Sequence, residues 1–198
     1  MDGFGFTMLA YFTDMANQNA KEFDRIIKEY PALKLKLMQQ AALMALAHFK
    51  SSFTNQGFTD KNLEKWKARA GGTRNAGRSI LIDKGVLRRG LRVKNVAANK
   101  GVVGVDDAIK YAKIQNEGGE IPITPKMRRF FWAMYKKNGG GIKGRRDTEQ
   151  ALFWKNMALH RGDTIKIPKR QFIGDSAILE EKIINYFNKE LLNFFNHD

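Results

Sequence analysis

No cysteine occurs in the 198 residues, so thiol nucleophiles, Cys-bearing zinc sites and disulfide staples are all excluded. Histidine is scarce too. The three, at 48, 160 and 197, form no HExxH pair and have no acidic cluster arranged around them, a pattern of surface or helix-end histidines and not of a metal centre. There is no GxSxG. The stretch NGGGIKGRR has the four-residue gap of a phosphate loop between Gly139 and Gly144, but Arg145 and Arg146 stand where Lys and Ser or Thr belong, and no strand precedes it. Asp106, Asp107, Glu117 and Glu120 are too poorly spaced for a nuclease metal cluster: the first two sit where a helix cap belongs, and the others flank a Gly-Gly turn. The apolar run AALMALA at 41–47 is far shorter than a bilayer requires. The opening MDGFGFTMLAYF has neither a basic n-region nor a small-residue cleavage site. The expectation is a soluble protein made and kept in a cytoplasm, with no catalytic residue, metal or cofactor.

What the chain has in quantity is apolar residues and positive charge. Hydrophobic residues make up 43% and include 14 Phe, enough for a sizeable core. Lys and Arg number 35 against 20 Asp and Glu, a net +15, which points to an anionic partner or neighbour surface. The charge is concentrated: residues 51–100 hold twelve Lys and Arg and three acids, a surplus of +9. Arg74, Arg78, Arg88, Arg89, Arg92 and Lys94 could track a phosphate backbone without reading its sequence. The same residues could instead form a solvated face, or meet an acidic partner such as Asp106, Asp107, Glu117 and Glu120 of a neighbouring subunit.

Hydrophobic periodicity predicts an α+β fold. Residues 3–12 could form a leading strand. Phe23, Ile26, Ile27 and Tyr30 mark a helix ended by Pro31, and Leu33, Leu37, Ala41, Met44, Leu46 and Phe49 mark a longer one over about 32–53. A turn and a Trp66-bearing segment follow, then a Gly/Arg loop at 70–78, expected to be mobile. Leu81, Ile82 and Leu87 anchor a helical turn, and alternation from Gly90 gives a strand with a basic face, returning through VVGV at 102–105. Asp106 and Asp107 are expected to cap a helix stopped by Gly118 and Gly119. Helices are predicted at 125–137 and 148–160, a strand at 164–167, and a terminal helix over about 176–195, capped by Asp175.

Several short signals occur in a fixed order: Phe53, Gly57 and Phe58 before Trp66, then LIDKGVLRRGLRV, VVGV, YAKIQNEGG and IPKRQFIGDS. This order resembles the phage virion morphogenesis or tail-completion family of Mu-like and other tailed phages and prophages, over roughly residues 36–122 and 164–195. Its patterns read L-x-x-T-G-x-L-x-x-S, Y-A-x-x-H-x-x-G and P-x-R-x-F-[LI]-G. Gly85, Leu87, Tyr111, Ala112, Gly118, Pro168, Arg170, Phe172, Ile173 and Gly174 match. Lys84, Gly90 and Gln115 depart from the common Thr, Ser and His, so no histidine chemistry carries over.

The resemblance implies one virion morphogenesis domain over 1–198, a small curved antiparallel sheet packed on helices with long N- and C-terminal helices, and a helical insertion at about 124–162. It implies a structural protein of the tail end or head–tail junction, working as a homo-oligomeric ring with other tail or connector proteins. Its place would be the bacterial host cytoplasm during assembly and then the virion. In IPKRQFIGDS, Pro168 fixes a strand exit, Phe172 and Ile173 bury as a pair, and Gly174 allows a reversal, leaving Lys169 and Arg170 on the outside to meet a neighbour.

Overall fold

The computed structural model describes residues 4–69 and 78–196, and for 4–13 the backbone alone. The expected loop at 70–78 lies outside these residues except for Arg78, and Arg74 lies outside them with it.

The fold is α+β. One helix, α1 (Phe4–Asn55), takes up the first quarter of the chain and at 1.5 Å per residue is about 78 Å long. Two expectations fail here: residues 4–12 are helix and not strand, and Pro31 lies inside the helix. Proline removes the hydrogen bond to the carbonyl four residues earlier. Pro31 and Ile27 are both exposed, so water can satisfy that carbonyl. The flanking turns are held from outside as well. Arg25 donates to the Phe194 carbonyl at 3.0 Å and stacks its guanidinium 5.0 Å from the Phe194 ring, the Tyr30 ring lies 6.4 Å from the same ring, and Lys36 meets Glu190 at 3.4 Å. These are contacts with the far end of α6 (Ala177–Phe195), which runs back antiparallel along α1. Arg25 also brings a positive charge to the negative end of that helix.

The second half of α1 buries Leu37, Ala41, Phe49 and Phe53, one face at four-residue spacing. On it rest two antiparallel ribbons. The hairpin β1 (Gly57–Thr59) and β2 (Leu63–Lys65) follows α1 directly. Only Phe58 of its six residues is a buried apolar side chain, so its sequence shows no alternation. After the short α2 (Val86–Gly90), β3 (Leu91–Ala97) pairs with β4 (Lys100–Val105), with a register shift between Val93 and Asn95. Helix α3 (Ala112–Glu117) begins later than expected. Neither Asp106 nor Asp107 caps it; Asp106 Oδ1 accepts from the Ala108 amide in a local turn.

A third ribbon pairs β5 (Gly119–Pro122) with β6 (Thr164–Ile167). Between its strands stand α4 (Pro125–Lys137) and α5 (Glu149–Ala158), capped by the Thr124 and Thr148 hydroxyls. The strands thus form three two-stranded ribbons and not one curved sheet. The α4–α5 hairpin has a small core of its own: Phe131, Tyr135, Ala151 and Ala158 are buried, Phe131 stacks on Trp154 at 6.0 Å, and Arg128 holds the Ala158 and His160 carbonyls. Its glycine loop wraps Tyr135. A Cβ on Gly140 would come within 2.0 Å of the tyrosine ring, and Asp147 accepts from both the Tyr135 hydroxyl and the Gly141 amide. Gly140 therefore has a packing reason, while Gly139, Gly141 and Gly144 take left-handed φ of +85°, +73° and +76°.

The main core joins Phe49, Phe53, Phe58, Trp66, Leu87, Leu91, Phe172 and Leu179. The total surface, 14,420 Å², is well above the roughly 9,500 Å² of a compact monomer of this mass. Among the described residues Phe23, Ile27, Phe130, Leu159, Leu192 and Phe195 are each more than half exposed.

His48 gives this fold a pH dependence. Its Nε2 lies 2.9 Å from the Thr59 carbonyl, and its ring sits edge-on to Phe49 and Phe58. Burial holds its pKa below the ordinary 6.5; the Thr59 carbonyl opposes this and Lys182 adds to it. The unfolded chain therefore takes up the proton more readily, so this contribution is complete above the unfolded pKa and falls as pH drops through 6.5 toward the folded value. Thermal unfolding should show stability declining as pH drops through 6.5, and His48→Gln should flatten that slope.

Candidate functional site

The segment after β6 is fastened from three sides. The Arg170 amide donates to the Gln115 carbonyl at 2.9 Å, and Trp66 Nε1 donates to the Gln171 carbonyl at 2.7 Å. Asn116 Oδ1 accepts both the Phe172 and Ile173 amides, at 2.9 and 3.0 Å. The Phe172 ring is fully buried, 5.4 Å from Phe53, which in turn sits edge-on to Trp66 at 5.6 Å. Ile173 packs partly buried against the same cluster. At the far end Ser176, and not Asp175, caps α6: its Oγ accepts from the Leu179 amide and donates to the Thr59 carbonyl, while Asp60 accepts from the Ala177 amide. Serine and aspartate are near-equal as caps, and contact with the β1–β2 turn selects between them. Gly118 is required where α3 meets this segment: its φ is +76°, and a Cβ there would lie 2.8 Å from the Lys169 amide nitrogen.

The singled-out residues of three distant segments thus come together. Leu87 is buried in the core, Gly85 takes φ +70° just before α2, Ala112 packs on the core, and Tyr111 stays exposed. Pro168 is half-buried at the exit from β6, and Gly174 precedes the α6 cap.

Beside this corner opens a cleft of about 360 Å³, lined by Arg69, Lys84, Gly85, Tyr111, Gln115 and Arg170 among others. Arg170 does not point outward to meet a neighbour, as the sequence suggested. It is half-buried, and its Nε and Nη2 donate to the Lys67 carbonyl at 3.3 and 3.2 Å. Among the described residues no carboxylate lies within ion-pair distance of it. Burial lowers its pKa from the ordinary value, and the Arg69 charge adds to the effect. Arg69 is held by the Arg78 and Ser79 carbonyls. The one acid in the lining, Asp83, pairs with Arg78 at 2.9 Å. Gln115 Oε1 is buried without a partner. The cleft presents cations and N–H donors.

The proposed basic track is less open than its sequence implies. Arg78 meets Asp83, Arg92 meets Asp106 at 3.0 Å, and Lys94 meets Asp107 at 2.7 Å, holding the Asp107 carboxyl below its usual range. Arg88 and Arg89 are exposed on α2. Asp106 and Asp107 are thus paired within their own chain, and Glu120 pairs with Lys166 and Thr164. No group of three or more His, Asp or Glu converges on a possible metal position among the described residues. Among the same residues, no helix is long and apolar enough to cross a membrane.

Comparison of the chain with protein-family models, with curated proteins and with solved structures finds no match.

Sequence reasoning passed over Asn116, Gln56 and Arg128, each of which holds backbone far away in the chain. Gln56 brackets Ile80 with both amide atoms. A polar side chain that bonds a distant main chain leaves no periodic signal.

Phe172→Ala should cost about 3–5 kcal/mol in chemical denaturation, as expected for a fully buried ring. Gln115→Met, which removes the unpartnered buried oxygen and keeps a similar shape, should be neutral or stabilising by about 1 kcal/mol; a clear loss of stability would show that the amide has a role here.

Proposed function

We propose that this chain is a non-enzymatic structural subunit of phage or prophage virion assembly, one that completes the tail or joins it to the head. The observation that carries the reading is the convergence of the ordered signals. Trp66, Leu87, Ala112, Phe172 and Ile173, from separated stretches, share one core, and Gly85, Tyr111 and Arg170 line the cleft beside it. The convergence supports reading the ordered signals as parts of one structural unit.

The surface supports the same reading. Exposed apolar side chains lie on α1 (Phe23, Ile27), on the α4–α5 hairpin (Phe130, Trp132, Leu152, Leu159) and on α6 (Ile184, Leu192, Phe195). Large exposed apolar area marks interaction faces, and aromatic residues beside arginine are favoured anchors. A ring of copies buries such faces through head-to-tail contacts between two different surfaces of each subunit. In this reading the protein works in the host cytoplasm during assembly and then in the virion, with tail or connector proteins as neighbours.

The alternative, a basic protein that binds nucleic acid without sequence preference, rests on exposed Arg88 and Arg89. It is weakened by the intrachain pairing of Arg78, Arg92 and Lys94. DNA binding by the isolated protein should therefore be weak, indifferent to sequence and quickly lost with salt. Tight binding to one duplex sequence at physiological salt would favour a different protein altogether.

Electron microscopy of virions or tail assemblies from the phage or prophage encoding this chain should place it as a cyclic layer at the head-proximal end of the tail. Well-resolved junctions that lack it would sink the assembly reading.

A further inference from the structure

We propose that the outer face of α4 binds single-stranded nucleic acid, its cations following the sugar–phosphate backbone and its exposed rings stacking on unpaired bases. The α4–α5 hairpin lies outside the ordered signals that carry the assembly reading, so failure of either leaves the other standing.

Residues 124–162 hold ten Lys and Arg and two acids, a surplus of +8 in a chain of +15. Neither acid lies on α4. Asp147 is occupied by the Tyr135 hydroxyl, the Gly141 amide and Lys155, and Glu149 sits in the first turn of α5, where an anion belongs. On α4 itself Lys126, Arg129, Lys136 and Lys137 are exposed, and among the described residues none of the four meets a carboxylate. At about 100° per residue they share an arc of about 100°, and the buried Phe131 and Tyr135 fall on the opposite side of the helix. Phe130 and Trp132, both exposed, come next to that arc, one on each side of it. Each ring is steadied from within the hairpin: Phe130 stands edge-on to Trp154 at 5.8 Å and Trp132 edge-on to Tyr135 at 5.6 Å. The result is a ridge of cations bordered by aromatic rings.

Solubility alone does not account for this face. Exposed helix surfaces ordinarily interleave both signs, often as i,i+4 pairs, and α4 has no acid in its 13 residues. Lys126 stands in the first turn, at the positive end of the helix dipole, with no acid to offset it. A polyanion laid along the face relieves the mutual repulsion of its cations and releases its own counterions.

The rings choose among polyanions. An anionic membrane takes a helix whose continuous apolar face sinks among acyl chains; α4 turns its buried rings toward α5, where Phe131 stacks on Trp154, and its two exposed rings are kept apart by cations. A duplex holds its bases stacked on one another. A single strand offers open base faces, and rings beside cations hold it without reading its sequence. Single strands should therefore bind better than the weakly held duplex.

The test uses the full chain. A mixed-sequence single strand, and the duplex made from it, are titrated by fluorescence anisotropy against four proteins: wild type, Lys126→Gln with Arg129→Gln, Trp132→Leu and, as a control on α2, Arg88→Gln with Arg89→Gln. All the replaced side chains are exposed, and circular dichroism checks each fold. Wild type should bind the single strand saturably and about fivefold or more tighter than the duplex, a difference that one base–ring stack supplies. Loss of the two α4 cations should weaken single-strand binding about tenfold at low salt and flatten its salt dependence by about 1.4 in slope, at about 0.7 per phosphate contact. Trp132→Leu should bind several-fold more weakly and lose the quenching of tryptophan fluorescence that accompanies saturation in wild type. The α2 variant should bind as wild type does. If Trp132→Leu unfolds, the quenching in wild type and the two-cation variant decide. The proposal is overturned by absence of saturation in wild type, by a duplex bound as tightly as the single strand, by saturation without quenching, or by an equal loss in the α2 variant. Vesicles containing phosphatidylserine are the last arm: binding to them without binding to the single strand would assign the face to a membrane surface and overturn it equally.

Discussion

The fold depends on the burial of one ring, Phe172, against Phe53 and beside Trp66. Each of the three rings comes from a different part of the chain: the end of the long helix, the residue after the first hairpin, and the approach to the last helix. Burying rings there requires a path for the backbone that carries them, and that path has no strand partner. Asn116 supplies the missing acceptor for two consecutive amides, and Trp66 the donor for the carbonyl before them. Buried main-chain polar groups must be paired, so side-chain amides here do what a sheet ladder would otherwise do. Ribbons of two strands can then suffice, because their edges close on helices and polar side chains.

Much of this arrangement could be read in the residues, and what could not follows a physical division. Elements with strong local signals appear where expected: the apolar stripe of Leu37, Ala41 and Phe49, the β3–β4 alternation, the α4 and α5 helices, the TIKI strand and the Gly118 stop. The errors fall where tertiary contact overrides a local preference. Proline ordinarily ends a helix, yet Pro31 does not, because α6 holds the helix on both sides of it. Asp175 and Ser176 are equally good caps taken alone, and a contact with the Thr59 carbonyl chooses the serine. The single sheet expected became three ribbons, since alternation shows that a strand exists and not which strand it joins.

The site was legible in a different sense. The sequence marked Gly85, Tyr111 and Arg170 as belonging together without saying that they face one cavity, and it turned Arg170 the wrong way. Composition is the cause. A count of charges treats every cation as available, whereas the fold pairs Arg78, Arg92 and Lys94 with near neighbours and draws Arg170 inward. Net charge describes the long-range field. Which cations can still take a ligand is decided by pairing.

The unbroken first helix also has a mechanical consequence. From Phe4 to Asn55 it is one rod, clamped along its second half by the body and near its middle by the tail of α6. Its first turns and Phe53, the residue beside the central ring, belong to the same continuous helix. The rod has one compliant joint, at Pro31, where the hydrogen-bond ladder lacks a rung. The clamps at Arg25 and Lys36 straddle that joint, so they set how far it can flex. Loosening them would uncouple the far end of the lever from the core; tightening them would turn the helix into a stiff strut.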